Sequence, residues 1–508
     1  MQGLVSLADL PTNGGYLLVL AIMLPASGLL LALLFGGRNA EYIALATLPV
    51  GLGIALAITS IISRTGRPLV YFIGGWTPPL GVGLRADGFS AVMLTTTALL
   101  MCGIGLFARA DFRTPAGIPE TRASLVFWVL LLGIWSALNA VFLGRDFFNL
   151  YVAIELLTFG AVPLVRLDGR TETLTAALRY LLFALVGSVL YLLGIALLYG
   201  AYGTLDILQL SGRIHASSIT VIAAALMTAG LLAKAALFPL HLWLPPAHGG
   251  APAPASALLS SLVVKAPFFL IVRLWFDAMP GLLERAAAPV LGAMGAAAVL
   301  FGSVLALRQV RLKLLIAYSS VAQMGYLFLM FPLAGTPGLG EVSSSAAWTG
   351  GAVQAISHAF AKAAIFAGAG LVSQVLGHDR IAELRGIGRV MPMTTFAIGF
   401  ASLSLMGLPP SGGFLAKWLL LIASVTTDQW WWAVVMLAGG LLAGGYIFRV
   451  LAPIMSGAGE PLTPLKAVPK RREAIVLVLA ICSVLIGVLP LGLSTLLAIG
   501  RPAMLVTR

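Results

Sequence analysis

The sequence contains few charged residues and almost no cysteine. Only 10% of its 508 residues are Asp, Glu, Lys or Arg, whereas about 25% is usual for a soluble domain. The two cysteines, Cys102 and Cys482, stand alone in distant apolar runs, which argues against a disulfide framework and a cysteine metal site. Because 60% of the residues are hydrophobic, we expect lipid rather than water to surround most of the chain.

Nucleotide and redox motifs are also missing. No glycine-rich phosphate loop of the GxGxxG or GxxxxGK[ST] type follows a strand pattern, so nucleotide binding has no support. No CxxC or CxxxC ligand set is present, which leaves iron–sulfur clusters and c-type haem without ligands. We therefore expect no cofactor, no metal and no redox reaction in the chain itself.

Long apolar runs fill the chain from residue 16 to residue 497. The runs are 19 to 35 residues long, and about 20 residues are enough for a helix to cross a bilayer. The runs lack the alternation of membrane barrel strands, so we predict a single all-α polytopic membrane domain over residues 1–508. The fourteen predicted spans lie near residues 16–36, 41–62, 87–107, 123–143, 147–165, 175–200, 217–238, 253–276, 286–307, 312–332, 347–375, 391–425, 430–452 and 473–497.

The positive charges are concentrated on alternate loops. The formal net charge is +13, and the side of the membrane that carries Arg113, Arg170 and Lys470 holds most of the basic loop residues. By the positive-inside rule, this side faces the cytoplasm and both termini lie outside it. The basic charge therefore indicates membrane topology and not nucleic acid binding.

Two predicted spans contain helix-breaking residues. The stretch "KAALFPLHLWLPP" includes Pro239, and "SLMGLPPSGGFLAKW" includes Pro409 and Pro410. Proline removes a backbone hydrogen bond inside a helix, and lipid tolerates freed backbone groups only beside protein or a hydrated cavity. A broken helix in each half of a transporter indicates an ion site between the halves. Ordinary proline kinks are the alternative interpretation.

Charged residues interrupt several apolar runs. They are Glu155, Lys234, Lys265, Lys362 and Lys417. A charge near the bilayer centre costs about 3 kcal/mol or more, so such residues usually face the bundle interior and mark an ion or proton path. We therefore predict that these residues belong to a proton pathway.

Three histidines accompany these charges. His358 lies four residues before Lys362, so the two share one helix face and could pass protons along one cavity. His241 and His248 flank the first break and are candidates for cavity residues or for groups at helix ends. For a histidine of this kind, a purely structural hydrogen bond to a carbonyl is the alternative.

Ordered motifs connect the chain with one group of membrane proteins. They include "RDFFNLYVAIELL", "KAALFPLHLWLPPAH", "LKLLIAYSSVAQMGY", "SHAFAKAAIFAGAG" and "GLPPSGGFLAKW", within residues 70–455. In these motifs the chain resembles the antiporter-like membrane subunits shared by respiratory complex I, membrane-bound hydrogenases and multisubunit sodium/proton antiporters. The resemblance implies fourteen helices and two inverted five-helix repeats, at residues 123–276 and 286–452, each with a broken helix.

The resemblance also implies a functional pathway. By position, the protonatable residues of the family match Glu155, Lys234, Lys265, His358 and Lys417, with the first two as an interacting pair. It implies a prokaryotic cell membrane location and other membrane subunits as partners in a hetero-oligomeric complex. Protons are the expected transported ion, with sodium as a second candidate.

The motifs point to two subunit types. Lys417 stands where one complex I subunit has a glutamate, which argues against that subunit. The stretch "RDFFNLYVAIE" is most like the D-type subunit of the multisubunit antiporters, whereas "LPPAHGGAPAPASALLSSLVVK" is closer to complex I and hydrogenase subunits.

We therefore expect a transport subunit rather than an enzyme, namely the proton-translocating subunit of a multisubunit cation/proton antiporter. The alternative is a proton-pumping subunit of complex I (NADH:quinone oxidoreductase) or of a membrane-bound hydrogenase. A membrane scaffold without conduction is a third hypothesis, which the five intramembrane charges disfavour.

Overall fold

The chain folds into a bundle of helices with one small β-hairpin. The computed structural model describes residues 11–115, 117–283, 287–335, 341–456, 465–489 and 492–502. The hairpin pairs β1 (Leu69–Phe72) with β2 (Gly83–Ala86) in antiparallel fashion. The α-helices are α1 (Tyr16–Phe35), α2 (Gly37–Thr65), α3 (Gly88–Ala108), α4 (Arg122–Leu143), α5 (Phe147–Val165), α6 (Thr171–Tyr202), α7 (Ile207–Ser211), α8 (Ser218–Lys234), α9 (Leu244–Gly250), α10 (Ala253–Leu258), α11 (Lys265–Val272), α12 (Pro280–Leu282), α13 (Ala288–Leu307), α14 (Leu312–Phe328), α15 (Met330–Ala334), α16 (Glu341–Leu376), α17 (Ile387–Val390), α18 (Pro392–Met406), α19 (Gly412–Thr426), α20 (Trp430–Met455), α21 (Lys470–Val488) and α22 (Leu493–Ala498).

The helix lengths fit a protein that crosses the membrane many times. Within the described residues, eleven helices are long and apolar enough to span a bilayer. Three shorter apolar helices, α8, α18 and α19, belong to the two stretches in which the sequence predicts a break. The predicted all-α polytopic membrane fold is confirmed, while the exact number of fourteen spans stays a prediction.

The centre of the bundle is the segment Ala253–Ala278, whose span is enclosed by other helices along its whole length. Its helix is irregular, because the π-helical turns Leu259–Val263 and Arg273–Ala278 follow α10 and α11. A π turn shifts the backbone hydrogen bonds by one residue and occurs frequently at functional sites. By contrast, α1, α2 and α20 expose much of their surface and lie at the edge of the bundle.

Small residues allow the helices to approach closely. A Cβ atom added to Gly187 on α6 would lie 2.6 Å from the carbonyl oxygen of Gly230 on α8, so neither helix could come as near with a larger residue there. Such contacts are typical of helix packing in membranes. This one presses α6 against the last turn of α8, where Lys234 lies.

The loops lie on two opposite faces of the bundle. On one of them, Arg170 Nη2 donates to the carbonyl oxygen of Gly250 at 3.2 Å, and Arg472 Nη2 donates to Asp111 Oδ2 at 2.6 Å. These contacts join loops that the sequence assigns to the basic side. We call this side, which carries the loops at residues 109–121, 166–170, 308–311 and 377–391, the basic face.

The hairpin and both ends of the described chain share the opposite face. The amide of Thr12 donates to the carbonyl oxygen of Val70 in β1 at 3.0 Å. Near the other end, the amide of Gly88 donates to the carbonyl oxygen of Ile499 at 2.9 Å, so the short helix α22 folds back against the start of α3. Residues 12 and 499 therefore lie on the same side of the bundle.

Candidate functional site

The first predicted break is a non-helical stretch between α8 and α9. The helix α8 ends at Lys234, α9 begins at Leu244, and Pro239 lies between them. The side chain of Trp243 turns back, and its indole N–H donates to the carbonyl oxygen of Ala233 at 2.9 Å. This carbonyl group, in the last turn of α8, also accepts a hydrogen bond from the amide of Ala236 at 3.3 Å, so the end of the helix is fixed by two donors.

An ion pair lies at the end of α8. Lys234 Nζ is 2.8 Å from Glu155 Oε1 on α5 and donates to Thr158 Oγ1 at 2.9 Å. The hydroxyl of Ser188 on α6 also donates to Glu155 Oε1. The side chains of Lys234 and Glu155 are 5% and 14% exposed, so most of the pair is enclosed by protein. An opposite charge at this distance stabilises the ionised form of each partner.

The next lysine lies in the central segment. Lys265 is fully buried, and its Nζ donates to the carbonyl oxygen of Ser260, which belongs to the first π-helical turn. The hydroxyl of Ser260 is 2.9 Å from the hydroxyl of Ser320 on α14. Within the described residues, no hydrogen bond or ion pair joins Lys265 to Lys234.

A third buried lysine approaches the same serine pair from α16. Lys362 Nζ donates to the carbonyl oxygen of Ile316 at 2.8 Å and to Ser319 Oγ at 2.6 Å. The hydroxyl of Ser320 donates to the same Ile316 carbonyl at 3.1 Å. Lys265 and Lys362 are therefore linked through a continuous set of polar groups in the bundle interior.

The second predicted break is the gap between α18 and α19. It contains Pro409 and Pro410, and Gly407 takes a left-handed conformation there, with φ 82°. A residue with a side chain would be strained at this φ. The hydroxyl of Ser411 accepts a hydrogen bond from the amide of Phe414 at 3.1 Å and so caps the new helix.

Lys417 on α19 occupies this break. Its Nζ donates to the carbonyl oxygens of Leu405 and Met406, at 2.9 Å and 3.0 Å, in the last turn of α18. It also lies 4.2 Å from the ring centre of Tyr326, within the range of a cation–π contact. The ammonium group therefore contacts groups that the broken helix has freed from intrahelical bonding.

His358 lies between the two lysines of the second half. It is buried on α16, and neither ring nitrogen has a hydrogen-bond partner among the described residues. One turn earlier, Gln354 donates to Gln323 Oε1 at 2.9 Å, and Gln323 donates to the carbonyl oxygen of Leu405 at 2.8 Å. Because Lys417 contacts that same carbonyl, the glutamines connect α16 with the second break.

The two remaining histidines are buried against aromatic rings. The ring of His241 lies 5.5 Å from that of Phe238 and 6.5 Å from that of Tyr318. The ring of His248 stacks on Phe366 at 4.8 Å. In the described part of the chain, neither histidine is hydrogen-bonded through its side chain to one of the buried lysines.

Several polar residues of the site were not singled out from the sequence. The signal available for them was a small polar or amide side chain within an otherwise apolar span, which by itself is common. The additional residues are Thr158, Ser188, Ser260, Ser319, Ser320, Gln323, Tyr326 and Gln354.

Among the described residues, no three His, Cys, Asp or Glu side chains come together as metal ligands would.

The chain is similar to known membrane-complex subunits in sequence and in fold. The chain is 34% identical over 417 residues to a protein of Desulforudis audaxviator named NADH-quinone oxidoreductase subunit N, a match that covers 80% of this chain and 79% of the relative. It is 28% identical over 357 residues to the D-type Na(+)/H(+) antiporter subunit of Alkalihalophilus pseudofirmus, with 69% of this chain and 68% of the relative covered.

A solved structure shares the fold along nearly the whole chain. A chain in the structure of the Mrp complex from Dietzia sp. DQ12-45-1b superposes with a TM-score of 0.84 at 24% identity, covering 95% of this chain and 96% of the other. The family model described as "NADH:quinone oxidoreductase/Mrp antiporter, TM" matches residues 144–443, which include both breaks and all the buried lysines described above. This protein therefore belongs to the NADH:quinone oxidoreductase/Mrp antiporter transmembrane family.

Proposed function

We propose that this chain is the proton-translocating subunit of a multisubunit cation/proton antiporter. The buried pair of Glu155 and Lys234 beside an interrupted helix carries the proposal. Charges inside a membrane protein are costly and usually mark an ion or proton path. The similarity to a D-type sodium/proton antiporter subunit supports the same function.

The proposed pathway runs from the first break to the second through the bundle interior. A buried ammonium group without its counter-ion is energetically costly, so separating Lys234 from Glu155 would drive its proton toward Lys265. From Lys265 the polar groups described above lead to Lys362, and His358 on the same helix face leads on toward Lys417. Ordered water, the usual partner of buried polar groups that lack protein contacts, completes the path.

We propose that the breaks belong to two related halves of the chain. Residues 123–276 and 286–452 are the proposed inverted repeats, and each contains one interrupted helix with a buried lysine. This arrangement is typical of transporters in which the ion site lies near the middle of the membrane. His241 and His248, beside the first break, are proposed to line the cavity of the first half.

We propose a prokaryotic cell membrane location with the basic face in the cytoplasm and both termini outside, as the positive-inside rule requires. The test is cysteine labelling of intact cells, in a background in which Cys102 and Cys482 are replaced. An impermeant reagent should label Leu80→Cys, which is 85% exposed in the hairpin turn, and should not label Arg170→Cys on the basic face. The reverse pattern would contradict the orientation.

The function is tested by transport in membrane vesicles that contain the whole assembly. The measurement is the collapse of an imposed proton gradient on addition of sodium, with subunit levels determined in the same vesicles. We expect the wild-type chain to support exchange and Glu155→Ala to lose most of it. Full exchange by Glu155→Ala and by Lys234→Ala, both at normal levels, would remove the basis of the proposal and favour a scaffold role.

A proton-pumping subunit of a redox-driven complex is the second candidate. The observation that favours it is the higher identity, 34% against 28%, to the protein named as an NADH-quinone oxidoreductase subunit. Both candidates require other membrane subunits as partners, and purification through a tag on this chain would distinguish them. Small membrane subunits without electron carriers would support the antiporter, and flavin or iron–sulfur subunits would support the redox complex.

A further inference from the structure

A cavity opens on the basic face between the end of α3 and the start of α21. Its volume is about 430 Å³. Four arginines, Arg109, Arg113, Arg471 and Arg472, share its lining with apolar side chains that include Leu106 and Ile475. These residues take no part in the proton pathway proposed above, which lies in the interior of the bundle.

Arg472 is a fixed cation in this cavity. Its side chain is only 5% exposed, and it donates to Asp111 Oδ2 at 2.6 Å and to Gln374 Oε1 at 2.9 Å. The guanidinium group also lies 4.4 Å from the ring centre of Phe107. The buried Nε–H has no hydrogen-bond partner among the described residues, although buried donors are normally paired. The wall of the cavity therefore contains an immobilised guanidinium group, which is a fixed positive charge.

The charges around the cavity do not balance. Arg109 Nε is 2.8 Å from Glu41, and the carboxylate described above neutralises Arg472. Arg113 and Arg471 make no hydrogen bond or ion pair to any described residue, and both are exposed. Four guanidinium groups and two carboxylates leave two positive charges that face the cavity.

The apolar part of the lining indicates which anion fits. Leu106 belongs to the last turn of the membrane helix α3 and is 51% exposed, so it lies at the boundary between the apolar and polar zones of the bilayer. Basic pockets at this depth bind anionic lipid head groups. A free phosphate ion would use the arginines but would leave the apolar wall without a partner.

We propose that this cavity binds an anionic phospholipid from the leaflet on the basic face. The phosphate group contacts the guanidinium groups of Arg113, Arg471 and Arg472, and the acyl chain covers Leu106 and Ile475. The bound lipid joins the end of α3 to the start of α21. The site is independent of the parent complex and of the transport mechanism.

The test measures which lipid the purified full-length chain retains. The chain is equilibrated in mixed micelles with equal amounts of phosphatidylglycerol and phosphatidylcholine, and bound lipid is determined by native mass spectrometry. We expect the wild type to retain phosphatidylglycerol preferentially. In the double variant Arg113→Gln/Arg471→Gln, the ratio of bound phosphatidylglycerol to bound phosphatidylcholine should fall roughly 25-fold. Each arginine near an anionic head group contributes about a five-fold gain in affinity, and the variant removes two. Both arginines are exposed, so the variant is expected to fold.

The matched control is Arg308→Gln/Arg389→Gln, which removes two positive charges from exposed positions on the same face but outside the cavity. It should keep the preference of the wild type. An equal loss in this control, or no loss in the double variant, would overturn the proposal. Displacement of phosphatidylglycerol by millimolar inorganic phosphate would also overturn it, because the site would then recognise phosphate alone.

Discussion

The two interrupted helices hold their lysines in different ways. Lys234 forms an ion pair with the carboxylate of Glu155 at 2.8 Å. Lys417 instead donates to the backbone carbonyl oxygens of Leu405 and Met406, and no described carboxylate contacts it. The same type of side chain beside the same type of break is thus stabilised by a full opposite charge in one half and by neutral dipoles in the other.

This difference is the basis on which we propose distinct roles for the two breaks. In the first half, Glu155 is held by the side chains of Lys234 and Ser188 and by no backbone group among the described residues. The carbonyl groups around Lys417 move only if the end of α18 moves. We therefore propose that a change in charge outside the pair of Glu155 and Lys234 separates the pair and releases the proton at the first break. The second break, at Lys417, then receives the proton.

The largest expected effect is the loss of transport when either lysine is removed. We predict that Lys234→Ala and Lys417→Ala each lower proton transport in vesicles about 100-fold or more, which is the lower range for a positioned proton-transfer group. Lys234→Arg should fail as well, because a guanidinium group stays protonated and cannot release a proton to a neighbour.

Arg308→Gln serves as the control for these transport measurements, because it lies on the surface away from the interior lysines. Subunit levels in the vesicles must be comparable before rates are compared. If Lys417→Ala transported normally while Lys234→Ala did not, the second break would not be a relay station, and the pathway would have to leave the bundle from the first half.

A smaller effect separates the two breaks by stability. Lys234→Ala leaves the carboxylate of Glu155 without its partner, and breaking a buried pair costs at most about 3 kcal/mol at a site that is partly exposed. Lys417→Ala leaves only carbonyl groups behind, so its free energy of unfolding should fall less. Thermal unfolding of the purified variants in detergent measures this difference.

The double variant Glu155→Gln/Lys234→Met provides the matching test. It removes both charges of the pair, so it should recover stability relative to Lys234→Ala without recovering transport. Equal stability of Lys234→Ala and Lys417→Ala would show that the carboxylate makes no difference to the first break, and the comparison between the halves would then fail.

A buried cation outside the proposed pathway, Arg273, provides an ion pair for comparison. Arg273, at the end of the central segment, donates to both carboxylate oxygens of Asp87 at 2.6 Å and 2.8 Å. Asp87 lies just before α3, and its carboxylate accepts a hydrogen bond from the amide of Ser90. Burial raises the pKa of Asp87, but the Arg273 guanidinium, together with the charge of Arg85 and the hydrogen bond from the Ser90 amide, more than offsets this effect and holds the pKa at about 2.

We predict that Asp87→Asn lowers the free energy of unfolding by about 2 kcal/mol at neutral pH. The folded-state pKa of Asp87 lies below the ordinary value, so its contribution is complete above about pH 4 and is lost as the pH falls toward 2. Unfolding followed by tryptophan fluorescence should show a constant difference in the free energy of unfolding between Asp87→Asn and the wild type from about pH 5 to about pH 8. An undiminished difference at about pH 3 would contradict this assignment.

The sequence predicts the charged residues of the site better than the groups around them. Glu155 and Lys234 could be found because charge is rare in apolar spans, and Pro239 and the Pro409–Pro410 pair marked the two breaks. Proline alone is a weaker signal, because Pro25 and Pro49 lie inside the continuous helices α1 and α2. Ser188 and Gln323 could not be found in this way, because hydroxyl and amide side chains occur in many membrane helices without a role. Their contacts with Glu155 and with the carbonyl oxygen of Leu405 depend on which helices are neighbours, and this information lies in the packing of the bundle.

The smallest predicted effect concerns one of these unforeseen groups. Thr158 Oγ1 accepts a hydrogen bond from Lys234 Nζ at 2.9 Å, beside the ion pair. Thr158→Val keeps the shape and the charges but removes this acceptor, and a hydrogen bond of this kind contributes about 1 kcal/mol, which corresponds to roughly five-fold in rate. We therefore expect proton transport in vesicles to fall by about that factor.

The control for this substitution is Thr47→Val on α2, where the hydroxyl donates to the carbonyl oxygen of Ile43 in its own helix and to no other described residue. It should leave transport unchanged. A loss in Thr158→Val that was as large as that in Lys234→Ala would mean that the hydroxyl itself carries the proton. Unchanged transport in Thr158→Val would mean that the carboxylate alone positions the ammonium group, which would make the contrast with the carbonyl-bound Lys417 sharper still.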